Sequence, residues 1–396
     1  MSAPAKPILA VTMGDPAGIG PEVIVGAWND SRIHEQAQPF VVGHAEILRR
    51  AVRMLGCDLT VVEIESPESL RQARSTADTL PCIKACSDEV LDVPPGQVDA
   101  RAGEAAYQAV RASAEMALAK QVDGIVTAPL SKAALHAAGH HYPGHTELLA
   151  EICGAREFAM MLYLGGEWGA GSGEQGAGSG EQGAGSKQLD IAGAERDVLR
   201  TEYSVLSTAS SHPAPGIPRP ASSVGLGVVH VTLHQALRSV FADLTPDAIE
   251  SKCRLADSAM RRLGVTEPRI GVCALNPHAG EDGLFGDEEQ TVIRPAVEAA
   301  RRAGLKVSGP FPADTLMMRA RDGEFDAVVA MYHDQGHIAL KLLGMHSAVN
   351  ITLGLPIVRT SVAHGTAFDR AWQGTARGEG MVAAIGTAAR LTKSLP

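Results

Sequence analysis

"ILAVTMGDPAGIGPE", residues 8–22, decides how the rest of the chain is read. Six apolar or small residues are followed by a turn rich in Gly and Pro, and Pro21 stands where a helix starts. A strand is handing over to a helix. The same unit recurs along the chain. "FVVG" (40–43), "TVVEI" (60–64), "GIVTAP" (124–129), "FAMMLYL" (158–164), "LGVVHVTL" (226–233), "RIGVCAL" (269–275), "AVVAMY" (327–332) and "AVNITL" (348–353) read as strands. Helical patterns lie between most of them. A long amphipathic one covers about 103–120, and another covers 246–263 with Thr245 placed to cap it. Such alternation implies an α/β fold with a largely parallel sheet.

The composition fits that reading and narrows the function. The 396 residues are 45% hydrophobic and 20% charged, with only 4% aromatic, which suits closely packed α/β layers. A formal charge of −10 without a marked Lys/Arg run argues against nucleic acid or an anionic membrane as partner. No apolar run reaches the ~18 residues of a membrane span. The start, "MSAPAKPILAVTMG", is too short in apolar residues for a secretory signal, so a cytoplasmic protein is expected. Cys57, Cys82, Cys86, Cys153, Cys253 and Cys273 form no C-x-x-C pair and read as free thiols of a reducing compartment.

One segment breaks the pattern. "AGSGEQGAGSGEQGAGS" (170–186) repeats a seven-residue unit, but without the apolar positions of a coiled coil. Ser- and Pro-rich sequence follows to about Ser223, with a short helix candidate only at 190–206. Residues 167–224 therefore read as a flexible, low-complexity insertion between two strands that a tight hairpin would otherwise join. Lengthening such a loop costs little, because closure entropy grows with the logarithm of its length.

Three histidines stand where strands end: His230 in "GVVHVTL", His278 in "NPHAGEDG" and His333 in "MYHDQGHIALK". Ligands gather at the carboxyl ends of strands in open α/β sheets, so His278 and His333 are placed to converge. Neutral imidazoles suit a transition metal, and three leave a position open for substrate. The same residues also suit plain hydrogen bonding. His333 and His337 are one helical turn apart, but Gly336 disfavours a helix there, leaving His337 as a supporting or substrate-facing group. The turn 14–22 is either structural or an anion cradle. "GHTELLAE" (144–151) puts His145 and Thr146 at a helix start, as cap or as ligand contacts. Asn350 and Arg359 sit in apolar strand context with Lys341 upstream, where an anionic substrate or a buried carboxylate would pair the cations.

These blocks together resemble a known family. "VTMGDPAGIGPE", "GHTELLAE", "NPHAGEDGLFGDEE", "GPFPADTL", "YHDQGHIALK" and "VNITLGLPIVRTSVAHGTAFD" are similar, in this order, to the NAD-dependent 4-hydroxythreonine-4-phosphate dehydrogenases of pyridoxal phosphate biosynthesis. The resemblance implies a two-domain α/β/α fold like that of isocitrate and isopropylmalate dehydrogenases, with the active site in the interdomain cleft. Residues 1–140 and 336–396 would form the cofactor-side domain. Residues 141–335 would carry the metal ligands and the homodimer interface. It implies His230, His278 and His333 as ligands of a divalent metal, zinc first and magnesium or cobalt as alternatives. Substrate contacts would fall on His145, Thr146, Lys341, Asn350 and Arg359. His145 or Lys341 would be the general base, and Asp314 would reach the partner subunit's site. His364, Gly365 and Thr366 would bind NAD, with NADP as the alternative. The implied reaction oxidises the 3-hydroxyl of 4-hydroxythreonine 4-phosphate and releases carbon dioxide, giving 3-amino-2-oxopropyl phosphate.

This chain also differs from the family pattern. Ala363 stands where Asp usually precedes "HGT", and "RAWQG" puts Trp372 and Gln373 where an Ala-Gly turn is more usual. The insertion ends a few residues before His230. "DGLFGDEE" and "HDQGHIALKLLG" look like a sister branch acting on D-threonate or D-erythronate 4-phosphate. "VVHVTLH" is similar to relatives that oxidise cyclic dihydrodiol dicarboxylates. A reading of another class is a catalytically silent homologue acting as a binding protein.

Overall fold

The computed structural model describes residues 5–71, 73–166 and 224–393. Apart from Val224, the expected insertion and its helix candidate lie outside the described residues. Twelve described strands make one continuous sheet. They are β1 (Ile8–Thr12), β2 (Gln38–Gly43), β3 (Thr60–Glu63), β4 (Thr79–Lys84), β5 (Gly124–Thr127) and β6 (Ala159–Gly165). β7 (Gly225–His230), β8 (Arg269–Cys273), β9 (Lys306–Phe311), β10 (Ala327–Ala330), β11 (Val349–Leu353) and β12 (Val358–Val362) complete it.

The spatial order is β3-β4-β2-β1-β5-β12-β11-β6-β7-β10-β8-β9. Strands β3 to β12 of that order are parallel, and so are β7, β10, β8 and β9. Between these two blocks, β11 runs antiparallel to β12 and β6, and β6 antiparallel to β7. Parallel strands covered by helices on both faces read as unbroken apolar runs. Val228, Val229, Val328 and Val329 illustrate this, all without exposed surface. The expected α/β class with a mostly parallel sheet is what forms.

Local expectations fare unevenly. Thr245 does cap the helix Pro246–Arg262, its Oγ1 accepting from Ala248 N at 3.2 Å. Helix Gly20–Trp28 begins one residue before Pro21. Gly336 disfavours a helix by propensity, yet His333–Gly344 is helical throughout. Propensity loses to packing here. A Cβ on Gly336 would lie 2.5 Å from His230 Nε2 and 2.7 Å from Val228 Cγ1, so only glycine lets this helix lie on β7. The six cysteines are free, and burial raises the thiol of Cys253 to about 12.

Candidate active site

Side chains alternate along a strand, so residues two apart share a face with their cross-strand partners. In the antiparallel seam this rule lines up polar groups. Thr127 of β5 is opposite Ser361 of β12, Ser361 is opposite Asn350 of β11, and Asn350 is opposite Leu162 of β6. Arg359 and Thr352 continue the same face two residues along their strands. A cavity of ≈ 220 Å³ lies over this row, bounded by the start of helix His145–Ile152, by His337, and by His364 with Gly365.

Its polar atoms are under-partnered. Arg359 is 2% exposed and donates from Nη1 to Thr352 Oγ1 (2.9 Å) and from Nη2 to Thr127 Oγ1 (2.6 Å). Among the described residues no carboxylate forms an ion pair with it. Arg359 Nε, His145 Nε2, Asn350 Oδ1 and Glu147 Oε2 are all sealed from solvent without a hydrogen-bond partner. Each such atom costs free energy unless something fills the cavity and pairs with it. Burial lowers Arg359 to about 9, still cationic at neutral pH. Burial, then the charges of Arg359 and Lys132, hold His145 well below the ordinary imidazole value, so it is neutral. Burial works to raise Glu147, but nearby His234 and other groups leave it below the usual carboxylate range. Thr146 is no cap. Gly144 holds that position, and Thr146 Oγ1 points to Thr352 Oγ1 at 3.5 Å.

A cluster of histidines adjoins the cavity. His230, the last residue of β7, is fully buried, and burial keeps it neutral with a pKa near about 4. Its Nδ1–H donates to Met160 O at 3.4 Å, which turns the Nε2 lone pair into the site, 3.1 Å from His337 Nδ1. His337 stacks on His333 with ring centroids 3.7 Å apart, and Asp334 Oδ1 accepts from His333 Nδ1 at 2.6 Å. Metal-ligating imidazoles keep the far ring nitrogen hydrogen-bonded, as His230 and His333 do to Met160 O and Asp334 Oδ1, so both fit that chemistry. Lys341, one turn beyond His337, acts on both His337 and His364 through its charge.

His278 does not join them. It opens a turn in which residues 278 to 282 all have left-handed φ, from 42° to 78°. Buried Glu289 holds that turn: Oε1 accepts from Leu275 N and Asn276 N, both at 2.8 Å, and Oε2 from Asn276 Nδ2 at 3.0 Å. The His278 side chain is 76% exposed beside Glu281 and Phe285. Among the described residues no three His, Cys, Asp or Glu side chains form a metal-holding group. Asp314 is likewise exposed, at the start of helix Ala313–Arg321.

Beyond β12, His364 and Gly365 also line a second cavity of ≈ 580 Å³ with Ile19, Ala367, Asp369 and Arg377. Small apolar surface beside both signs of charge suits a flat base, a ribose and a diphosphate. Thr366 lies behind this wall and accepts from Ile19 N at 3.0 Å, so the Gly-rich turn buttresses this loop. Thr127, Thr352, Lys132, Glu147, His234 and Glu289 went unnoticed in the sequence. The polar residues alternating with apolar ones in "VNITL" are a usable signal for Thr352. For His234, which approaches His333 to 5.7 Å between rings, no such signal exists.

The profile of the pyridoxal phosphate biosynthetic protein PdxA family matches residues 35–167 and 219–388. The gap in that match falls within the low-complexity segment. A D-threonate 4-phosphate dehydrogenase of Pectobacterium atrosepticum is 40% identical over 97% of this chain and 99% of its own. A 4-hydroxythreonine-4-phosphate dehydrogenase of Trichlorobacter lovleyi is also 40% identical, over 98% of each. The crystal structure of a 4-hydroxythreonine-4-phosphate dehydrogenase from Klebsiella pneumoniae superposes with a TM-score of 0.75 at 38% identity, covering 98% of this chain and 100% of that one. The antiparallel seam, its buried arginine and the histidines beside it are thus those of a chain that belongs to the PdxA family.

Proposed function

We propose that this protein is an NAD-dependent, metal-assisted dehydrogenase of a phosphorylated four-carbon hydroxy acid. We put 4-hydroxythreonine 4-phosphate first and D-threonate 4-phosphate second. Relatives carrying each name match at the same identity, which is why the second reading stands beside the first. The observation that carries the proposal is Arg359, a buried guanidinium without a carboxylate, facing a cavity where His145 Nε2, Asn350 Oδ1 and Glu147 Oε2 are unpaired too.

The residues divide the work as follows. Arg359 and Lys341 would pair with the substrate's anionic groups, and Asn350 and Thr146 would fix its orientation. His145, neutral and with Nε2 free, would take the proton of the hydroxyl being oxidised, Lys341 being the alternative base. When bound, NAD supplies the hydride acceptor and a divalent metal the Lewis acid. In balance, the carbinol carbon would give up its hydrogen as hydride, the hydroxyl proton would pass to His145 or Lys341, and the resulting 3-oxo acid would release carbon dioxide and gain a proton on carbon. His230, His333 and His278 are proposed as the metal ligands. Imidazole donors favour zinc or cobalt over magnesium, which prefers oxygen.

The domain reading places residues 1–140 and 336–396 in one unit and 141–335 in the other, meeting at the β11–β6 pairing. A homodimer with the site at its interface is supported by unpartnered apolar surface. Ile338, Leu342 and Met345 make an exposed stripe on helix His333–Gly344, Leu342 being 82% exposed, and Leu284 and Phe285 next to His278 are exposed too. Among the described residues no helix is long and apolar enough to cross a membrane. A cytoplasmic enzyme with reduced cysteines is the compartment we propose. The deciding assay is NADH formation by the zinc-loaded protein with 4-hydroxythreonine 4-phosphate, D-threonate 4-phosphate and D-erythronate 4-phosphate in parallel. Turnover of the first alone places the protein in pyridoxal phosphate synthesis, and preference for an acid phosphate places it in sugar-acid breakdown. No turnover and no stoichiometric metal would leave the silent homologue instead.

A further inference from the structure

Behind the wall of the second cavity, one residue holds an unusual backbone state. Trp372 has φ +60°, the left-handed region where a Cβ crowds the following carbonyl. A bulky side chain persists there only where its surroundings over-determine it. Here they do. Glu22, fully buried in helix Gly20–Trp28, uses both carboxylate oxygens on this turn: Oε2 accepts from Trp372 N at 2.6 Å and Oε1 from Gly374 N at 2.9 Å. The indole Nε1–H donates to Pro16 O at 2.9 Å. The Arg50 guanidinium lies over the ring, 4.6 Å from its centre.

A second tie lies six residues earlier. Ile19 N donates to Thr366 O at 3.0 Å, and a Cβ on Gly18 would come within 2.9 Å of Thr366 Cβ. The segment is therefore fastened to residues 16–22 at Thr366 and again at Trp372. Between the two fastenings, Ala367, Asp369 and Arg370 form a wall of the ≈ 580 Å³ cavity. Neither Trp372 nor Glu22 lines the cavity; both stand behind the wall.

We infer that Trp372 and Glu22 are positioning residues for the dinucleotide, setting the shape of the 364–370 wall before the ligand arrives. This rests on the reading of the second cavity as the dinucleotide site. A wall ordered in advance loses less conformational freedom on binding, and that difference appears as affinity.

The test titrates NADH, followed by its fluorescence, into the full-length zinc-loaded protein and into Trp372→Gly, Trp372→Phe and His364→Ala. Thermal unfolding and binding of inorganic phosphate are recorded for each. Glycine adopts the left-handed conformation freely and keeps the N–H that Glu22 accepts, so Trp372→Gly removes the indole alone, with some loss of melting temperature because the ring packs on the core. Its NADH affinity should fall by roughly tenfold, about what the lost indole hydrogen bond and cation–π contact cost, with phosphate affinity unchanged. Trp372→Phe, which keeps the ring but not its N–H donor, should lie between. Wild-type NADH affinity in Trp372→Gly, with His364→Ala weakened, overturns the inference and leaves the cofactor site standing. Parallel loss of phosphate binding marks a merely structural role and overturns it as well. If the wild type does not bind NADH, or His364→Ala binds it undiminished, the cofactor reading fails and the inference with it.

Discussion

The two halves of the site are built differently. Over the seam, the strand-borne polar groups have addresses set by sheet register: Thr127, Arg359, Asn350 and Thr352 share a face because strands alternate. Moving one of them means moving a strand. At the histidine end, His230 is fixed in the same way, but His278 stands on an exposed left-handed turn apart from His230 and His333. The cavity over the seam gathers its lining within the described chain, whereas the three histidines proposed as ligands are not brought together in it. Strand register preorganises the first; the second, as proposed, needs a further surface to complete it.

The sharpest way to break this comparison is to remove the anchor of the prebuilt half. Arg359→Met should lower kcat/KM by about a thousandfold, equivalent to ~4 kcal/mol of lost charge pairing. Thermal stability should hold or rise, because a buried charge without a carboxylate is taken out of the core. An activity within tenfold of wild type would show that the cavity does not hold the substrate's anion. The second test concerns the other half. His278→Ala should weaken metal binding at least roughly a hundredfold, since losing a ligand costs no less than losing a group that supports one. In the wild type, metal affinity should fall as the protein is diluted through dimer dissociation, while phosphate affinity stays constant. Equal dilution behaviour for both ligands would contradict the division between the halves.

How much of this could be read beforehand follows the same division. The α/β class was visible in "ILAVTMGDPAGIGPE" and its repeats, because buried parallel strands write themselves as apolar runs. Arg359 and Asn350 stood out as polar residues inside such runs. The grouping of His230 with His337 did not, since it depends on a helix that propensity argues against. In the sequence Gly336 disfavours a helix, whereas in the fold it is a contact glycine, a distinction that only the packing partner can make. The sequence leaves Thr146 open between cap and ligand contact because capping is local; its contact with Thr352, far along the chain, is not. The strain at Trp372 is invisible without its long-range partners Glu22 and Pro16.

Gly336 offers a test of intermediate size. Alanine would gain about 1 kcal/mol of helix propensity but would place its Cβ 2.5 Å from His230 Nε2. Overpacking costs about 1–3 kcal/mol, so Gly336→Ala should be net destabilising and should weaken metal binding about tenfold. A stabilised variant with unchanged metal affinity would mean that the helix is free to move off β7. A smaller effect is expected from Lys132→Gln. The Lys132 charge helps hold His145 below its ordinary value, so removing it raises the His145 pKa. The acid limb of kcat/KM should then move upward, by only a few tenths of a pH unit because Lys132 is exposed and screened. The shift should shrink further in high salt, and a downward shift would exclude His145 as the base.

The smallest effect concerns the long segment between β6 and β7. Its closeness in sequence to His230 raises the question whether it disturbs the proposed metal site, but its flanking residues and His230 lie at opposite ends of the hairpin. Gly165 pairs with Gly225, and Gly166 N donates to Val224 O at 3.1 Å, so the segment leaves there. His230 lies five residues further along β7, roughly 3.3 Å per residue, between β6 and β10. The exit is also pinned: the Tyr163 hydroxyl donates to Val224 O and receives a bond from Arg390 Nη1 at 3.1 Å. Replacing residues 167–223 with Asn-Gly, the pair that closes a two-residue hairpin, should therefore leave metal affinity and kcat within twofold of wild type. A tenfold change in either would mean that the segment reaches the site from outside the sheet, and the strand register alone would no longer account for where His230 is held.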